Sequence, residues 1–261
     1  MFHAVRENRI RPRTAVLALV ALTALALSTG HTSAKGEGQI VIYGADSGSH
    51  LRLTVSGNDI VVNGYMAPGQ PVGCRFTDPR TAAVCPLAGV GSVEVDMGPA
   101  GDKVEVLDPL PIPLTTYLGL GSDKLIANSE SDTCYPEGTR RNRCIGGAGD
   151  DVCITGPRNS DCVGGPGNDY CEHSTGSDGC WGGPGNDICK MGPGKDGCHG
   201  DSGDDLLYEG SGGGKLYGGT GNDRLYEGTG KGKLFGGPGN DFCDGGPGVG
   251  KSYTCESGPR H

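Results

Sequence analysis

Aromatic side chains are scarce in this chain: they make up 5% of 261 residues, with a single tryptophan, and hydrophobic residues of all kinds reach only 34%. Both values are low for a domain that must bury a large apolar core. Basic residues are in deficit as well, 22 Lys and Arg against 31 Asp and Glu. Nucleic-acid binding needs a basic footprint, so that class of partner is not expected. Long apolar runs are missing except for residues 15–27, which follow Arg6, Arg9, Arg11 and Arg13 and lead to the small residues Thr32, Ser33 and Ala34. That order predicts a secretory signal peptide over residues 1–34, cleaved after Ala34. The run is too short to span a bilayer comfortably, so a processed chain with no membrane span, secreted to the extracellular side, is the expectation. Losing the segment removes four arginines and one glutamate and leaves 30 acidic and 18 basic residues, a net charge of about −12 that suits cations. No HExxH, GxSxG or paired-carboxylate arrangement stands clear of the rest of the sequence, and the chain is expected not to be an enzyme.

What the chain has in abundance is glycine, 51 residues, and it is periodic. From Gly146 the sequence divides without a gap into twelve nonapeptides: GGAGDDVCI, TGPRNSDCV, GGPGNDYCE, HSTGSDGCW, GGPGNDICK, MGPGKDGCH, GDSGDDLLY, EGSGGGKLY, GGTGNDRLY, EGTGKGKLF, GGPGNDFCD and GGPGVGKSY. Position 8 is Cys or Leu in eleven of the twelve. A weaker pattern reaches back through EGTRRNRCI, ANSESDTCY and LGLGSDKLI to residue 118, with Pro136 inserted. Self-similarity at a fixed short period is the signature of a solenoid. Glycines at positions 1, 2 and 4 allow tight turns with positive φ, and a carboxylate at position 6 adds a hard anionic oxygen. Positions 7–9 then predict a short strand whose middle residue points inward.

These units resemble the haemolysin-type, or RTX, calcium-binding repeat GGxGxDxUx over residues 118–253, and the preceding region is more weakly similar to the N-terminal part of secreted actinobacterial calcium-binding proteins of this kind. The resemblance implies an all-β fold, a parallel β-roll (a β-solenoid) in which two nonapeptides make one turn, with calcium as the cofactor. Equivalent loops then recur every 18 residues. The fuller units begin at Gly146, Gly164, Gly182, Gly200, Gly218 and Gly236, which places Asp151, Asp169, Asp187, Asp205, Asp223 and Asp241 in one stack at a spacing of roughly 4.8 Å. Carboxylates so stacked repel unless cations lie between them, and six loops leave five slots for several calcium ions. On the opposite edge position 6 reads Ser160, Asp178, Asp196, Gly214, Gly232 and Gly250, so only Asp178 and Asp196 form an acidic pair and the edge is expected to be mostly vacant.

The twelve cysteines of an exported chain predict disulfides. Position 8 is cysteine at 153, 162, 171, 180, 189 and 198, then Leu207, Leu216, Leu225 and Leu234, then Cys243. In a β-roll, residues nine apart face each other across the core. The expected pairs are therefore Cys153–Cys162, Cys171–Cys180 and Cys189–Cys198, with Cys74–Cys85, Cys134–Cys144 and Cys243–Cys255 closing local loops. A shifted frame beginning at Cys144–Cys153 strands more distant partners. Buried free thiols are the plainer alternative. A zinc site is disfavoured because no CxxC-like spacing brings four ligands together.

Ahead of the repeats, residues 35–117 predict a small N-terminal β cap. Antiparallel hairpins are expected over residues 38–66, further strands at 92–96 and 103–106, and MGPAGDKVE at 97–105 is a degenerate repeat. An independent binding domain is the alternative. Residues 254–261 read as a tail. GGPGVGKS at 245–252 matches the phosphate-binding P-loop pattern, but it lies in nonapeptide register near the end of the chain, and no nucleotide is expected. Position 9 of the poorer units gives an outward row, Trp181, His199, Tyr217, Phe235 and Tyr253, beside Lys215, Lys233 and Lys251. Such a row either stacks on itself to support the ladder or binds a cell-wall or extracellular polysaccharide. The expected function is a secreted calcium-binding repeat protein with a structural or surface-binding role. The alternative is a calcium-dependent adhesin or cell-wall module.

Overall fold

The computed structural model describes residues 38–45, 48–66, 74–78, 81–128, 131–136, 140–248 and 251–258; the expected signal peptide lies outside them, as does the side chain of Tyr253. Among these residues the chain is all-β, with no helix. Its strands form two sheets, one of ten strands and one of thirteen. From Val90 onward successive strands alternate between the sheets, and each pairs in parallel with the strand two steps on. Two nonapeptides therefore make one turn. Cys153 pairs with Cys171 and Cys171 with Cys189 on one sheet, while Cys144, Cys162, Cys180 and Cys198 run in register on the other.

The register explains the short strands. Positions 7–9 form the strand on the sheet with the fuller loops before it, as in Tyr170–Glu172 and Ile188–Lys190, whereas Gly179–Pro184, Gly197–Ser202 and Lys215–Thr220 run on through the following glycines. Position 8 faces inward and is buried at Leu207, Leu216, Leu225 and Leu234. The core changes character along the axis. Valine, leucine and isoleucine fill it from Ile40 to Leu125, cysteines take over from Cys134 to Cys198, and leucines follow to Leu234.

The parallel ladder begins much earlier than the repeat pattern. Gly38–Tyr43 pairs in parallel with Val90–Asp96, and His50–Ser56 with Lys103–Val106, so both are already rungs, although His50–Ser56 also forms the expected antiparallel hairpin with Asp59–Asn63. Their alternating Ile40, Ile42, Leu51 and Leu53 bury one face as position 8 does later. Alternation marks a half-buried strand but carries no sign of its partner's direction. Antiparallel strand pairing, among the described residues, runs from His50–Ser56 through Asp59–Asn63 and Ala82–Pro86 to Arg75–Asp78; the last three strands extend the thirteen-stranded sheet past its first rung, and Cys74–Cys85 ties Ala82–Pro86 to the start of Arg75–Asp78.

The tail also has a structural place. Cys255 is bonded to Cys243, and Ser257 bridges to Phe242, so these residues cover the last turn. The P-loop-like segment leads into the strand Lys251–Tyr253, where a phosphate-binding loop would need a helix.

Candidate functional site

The aspartates at position 6 form a ladder built by the backbone. Asp151 N–H donates to Oδ1 of Asp169 at 2.7 Å, Asp169 to Asp187 at 2.7 Å, Asp187 to Asp205 at 2.8 Å, Asp205 to Asp223 at 2.9 Å and Asp223 to Asp241 at 2.9 Å. Asp132 extends the ladder one step earlier, donating to Asp151 at 2.7 Å. At the far end Asp241 N–H donates to Glu256 Oε2 at 2.8 Å, so the tail supplies the acceptor that a further repeat would have given. The structure thus brings together all six predicted aspartates of this edge.

Each side chain is half used. The Oδ2 atoms of Asp151, Asp169, Asp187, Asp205, Asp223 and Asp241 are buried and have no hydrogen-bond partner. A buried anionic oxygen without a partner is costly. Burial first, with charge repulsion from adjacent aspartates, pushes the carboxyls of Asp151, Asp169, Asp187 and Asp205 up to about 7, against the lowering effect of the backbone hydrogen bonds. Asp223 and Asp241 move in the same direction from the same leading cause.

Position 1 is glycine on this edge for a steric reason. A Cβ on Gly146, Gly164, Gly182, Gly200, Gly218 or Gly236 would collide with the carboxylate of the aspartate five residues on. These glycines leave room for the carboxylate to fold under the turn. Gly167 has a φ of +152°, and a Cβ there would strike the carbonyl of Gly149 one turn below. Close stacking of the loops therefore requires glycine at both places.

A second ladder, absent from the sequence-based expectation, runs along position 5. Asn168 N–H donates to Asp150 Oδ1 at 2.7 Å, Asn186 to Asn168 at 2.9 Å, Asp204 to Asn186 at 2.7 Å and Asn222 to Asp204 at 2.7 Å. Its donors point towards the N-terminus of the stack, whereas those of position 6 point the other way. The Asn/Asp that precedes position 6 in each fuller unit was the visible signal. Asp201 is a further acid: it takes a glycine position with φ +77°, and its charge helps raise Asp187 and Asp205.

The opposite edge carries more carboxylates than Asp178 and Asp196. Asp178 donates to Asp196 Oδ1 at 2.9 Å, and Ser160 to Asp178 at 2.6 Å. Where position 6 becomes Gly214 or Gly232, position 1 becomes Glu209 or Glu227, and these buried carboxylates accept the N–H groups of Gly214 and Gly232. The longer side chain reaches from position 1 into the place that aspartate fills elsewhere. Glu209 and Glu227 each keep an unpartnered buried Oε2, and burial raises the Glu209 carboxyl to about 7. Asp102 and Asp123, joined by a 2.8 Å bond from Asp102 N–H to Asp123 Oδ1, start the same edge and also leave Oδ2 unpaired. Gly214 is likewise no neutral site, since a Cβ there would collide with the backbone oxygen of Asp196.

These donors fit calcium. They are hard anionic oxygens, repeated at the rung spacing, with one oxygen of each pair held by the backbone and the other unsatisfied.

Four of the six expected disulfides are present: Cys74–Cys85, Cys134–Cys144, Cys153–Cys162 and Cys243–Cys255. The expected Cys171–Cys180 and Cys189–Cys198 bonds are not formed, and all four residues are buried free thiols. The spacing rule placed them correctly across the core. It missed His173, whose Nε2 lies 3.0 Å from Cys171 Sγ. Hydrogen bonds from Cys171, Cys189 and Cys198, together with His173, hold the Cys180 thiol well below its usual range.

The outward row exists and stacks upon itself. Trp181 and His199 have ring centroids 6.0 Å apart, His199 and Tyr217 4.5 Å, and Tyr217 and Phe235 4.8 Å, all within 12° of parallel. The ring faces are thus used within the row, while Trp181 at its end is 37% exposed. Lys195, Lys215, Lys231 and Lys233 line a groove beside His199 and Tyr217. Compared with known proteins, the chain matches no family model and no curated protein sequence.

Proposed function

We propose that this chain is a secreted, calcium-stabilised β-roll of the kind the haemolysin-type repeat implies, with a structural or surface-binding role and no catalytic activity. The observation that supports this reading is the row of buried, unpartnered Oδ2 atoms from Asp151 to Asp241. A row of like charges in a desolvated edge opposes folding, and calcium between the rungs removes both the repulsion and the unsatisfied oxygens. Four disulfides support an oxidising destination. The adhesin alternative, with a wall or extracellular polysaccharide as partner, draws its support from the exposed Trp181 and the lysine-lined groove.

Calorimetric titration with calcium, followed by circular dichroism, tests the reading. Several ions per chain should bind with dissociation constants near about 0.1–1 mM, the range of extracellular modules, and β content lost to chelator should return. No heat of binding and identical spectra and melting curves with calcium and with chelator would reject it.

A further inference from the structure

The calcium edges use oxygen and leave untouched the densest group of soft ligands in the chain. Cys171, Cys180, Cys189 and Cys198 are consecutive inward residues, all buried and all free. Each is nine residues from the next, so the roll sets successive ones on opposite sheets. Cys171 lies beside Cys189 on one sheet, and Cys180 beside Cys198 on the other. The ligand atoms of Cys171, His173 and Cys180 lie within 4.8 Å of one another, and so do the sulfurs of Cys180, Cys189 and Cys198. Cys180 belongs to both groups, so the two share one sulfur.

His173 is not placed there for packing. Its side chain is fully buried and occupies position 1, where the fuller repeats have glycine. Nε2 faces the sulfur of Cys171, and Nδ1 faces Thr155 Oγ1 at 3.2 Å and Asp178 Oδ2 at 3.7 Å. A ligating imidazole has this arrangement, one nitrogen towards the metal and the other held by hydroxyl or carboxylate oxygen. As core filler the cysteines are also a poor choice, since leucine fills the same position in the next four rungs.

We propose that Cys171, His173, Cys180 and Cys189 form a Cys3His site for one zinc-like divalent ion inside the solenoid, with Cys198 as a flanking thiol that hydrogen-bonds to the bound thiolates. Thiolate and imidazole select a borderline-soft d10 ion and discriminate against calcium, which the oxygen edges take. Tetrahedral zinc, with bonds of about 2.3 Å to sulfur and 2.0 Å to nitrogen, sets its ligands about 3.5–3.8 Å apart, so Cys171, His173 and Cys180 close on one another by no more than about 1.3 Å, and Cys189, grouped with Cys180, moves in to complete the set. Thiol protons leave to solvent as the ion enters, and no oxidant is required. The competing chemistry, two cross-core disulfides, consumes an oxidant, removes four hydrogens and leaves no thiolate for a metal.

The test is metal and thiol analysis of the full chain, exported and purified without reductant from medium containing zinc. One zinc per chain by elemental analysis is expected, with a metal-free covalent mass of four disulfides and four thiols. Those thiols should resist a thiol reagent in the native protein and react once it is denatured with chelator. Cobalt substitution should give the intense visible bands of a tetrahedral thiolate site. His173→Ala should retain the β spectrum and lower zinc affinity at least tenfold, and Thr155→Val should lower it by about tenfold through the imidazole alone. A mass showing six disulfides and no metal would overturn the site. So would four thiols that react freely in the native protein with zinc in excess.

Discussion

Replacing Asp187 with Asn should stabilise the calcium-free protein and destabilise the calcium-bound one. Asp187 Oδ1 accepts the Asp169 N–H at 2.7 Å, and an amide oxygen preserves that bond, whereas Oδ2 has no partner. Without a cation, burial first, then the charges of Asp169, Cys180 and Asp201, raise this carboxyl from 3.8 to about 7. At pH 8 ionising a group displaced by about three pKa units costs the native state about 4 kcal/mol, at about 1.4 kcal/mol per unit. Asparagine removes that cost and introduces a buried NH2 with no acceptor, a penalty of about 1–3 kcal/mol. Asn142 shows that the arrangement is tolerated: it occupies the equivalent rung of the other edge with its Nδ2 unpaired. The calcium-free variant should therefore gain about 1–3 kcal/mol. With calcium at a hundredfold excess over its dissociation constant, each occupied slot adds about 2.7 kcal/mol, and Asp187 borders two slots. Losing both outweighs the gain, for a net loss of about 3 kcal/mol. Urea unfolding at pH 8, followed by circular dichroism in chelator and in calcium, measures both. An effect of the same sign in the two conditions would refute the assignment of these carboxylates to calcium.

The raised carboxyls also set a pH dependence. Between pH 4 and 7 the calcium-free native state keeps protons on Asp151, Asp169, Asp187 and Asp205 that the unfolded chain has lost, so its stability should fall as pH rises through this window and level off above about 7; calcium should flatten the profile, and chelator melts at several pH values check it. Gly164→Ala should push the Asp169 carboxylate out of its place, lowering stability by about 1–3 kcal/mol and weakening calcium binding in a titration. Trp181→Ala/Tyr217→Ala breaks three ring contacts and should cost about 2–4 kcal/mol in urea unfolding, with no change in retention on cell-wall or soluble glycans; lost retention would instead favour the adhesin reading.

The solenoid was legible wherever a structural requirement repeats at a fixed interval. Glycine recurs because the turn and the folded carboxylate need it, aspartate because the backbone N–H of the preceding rung needs an acceptor, and Cys or Leu because the core is one residue wide at each rung. The strands Gly38–Tyr43 and His50–Ser56 obey the same burial rule without the same letters. Branched aliphatics fill their core, and the nonapeptide pattern is lost while the geometry persists. The edge carboxylates Glu209 and Glu227 were hidden for a related reason. A site filled from position 1 rather than position 6 breaks a column-by-column reading, although the two changes occur together in two units, Glu209 with Gly214 and Glu227 with Gly232.

The cysteines show how far spacing can mislead when it is read along the chain alone. Zinc sites are commonly recognised by pairs two to four residues apart, because a single turn of backbone brings such pairs together. A roll of 18 residues per turn makes residues nine apart neighbours across the core and residues eighteen apart neighbours along a sheet. A run of C-x8-C is therefore as convergent here as CxxC is in a tight turn. The same run gives Cys153–Cys162 as a disulfide and, from the next rung, four free thiols, although the sequence spacing is identical. Position 1 of the adjoining loops differs between these rungs. The disulfide rung has Thr155 beside it, the first thiol rung has His173, which turns a ring nitrogen towards Cys171 Sγ, and the second has Met191. On the proposed reading, a histidine outside the repeating column marks where the covalent staple gives way to a ligand set.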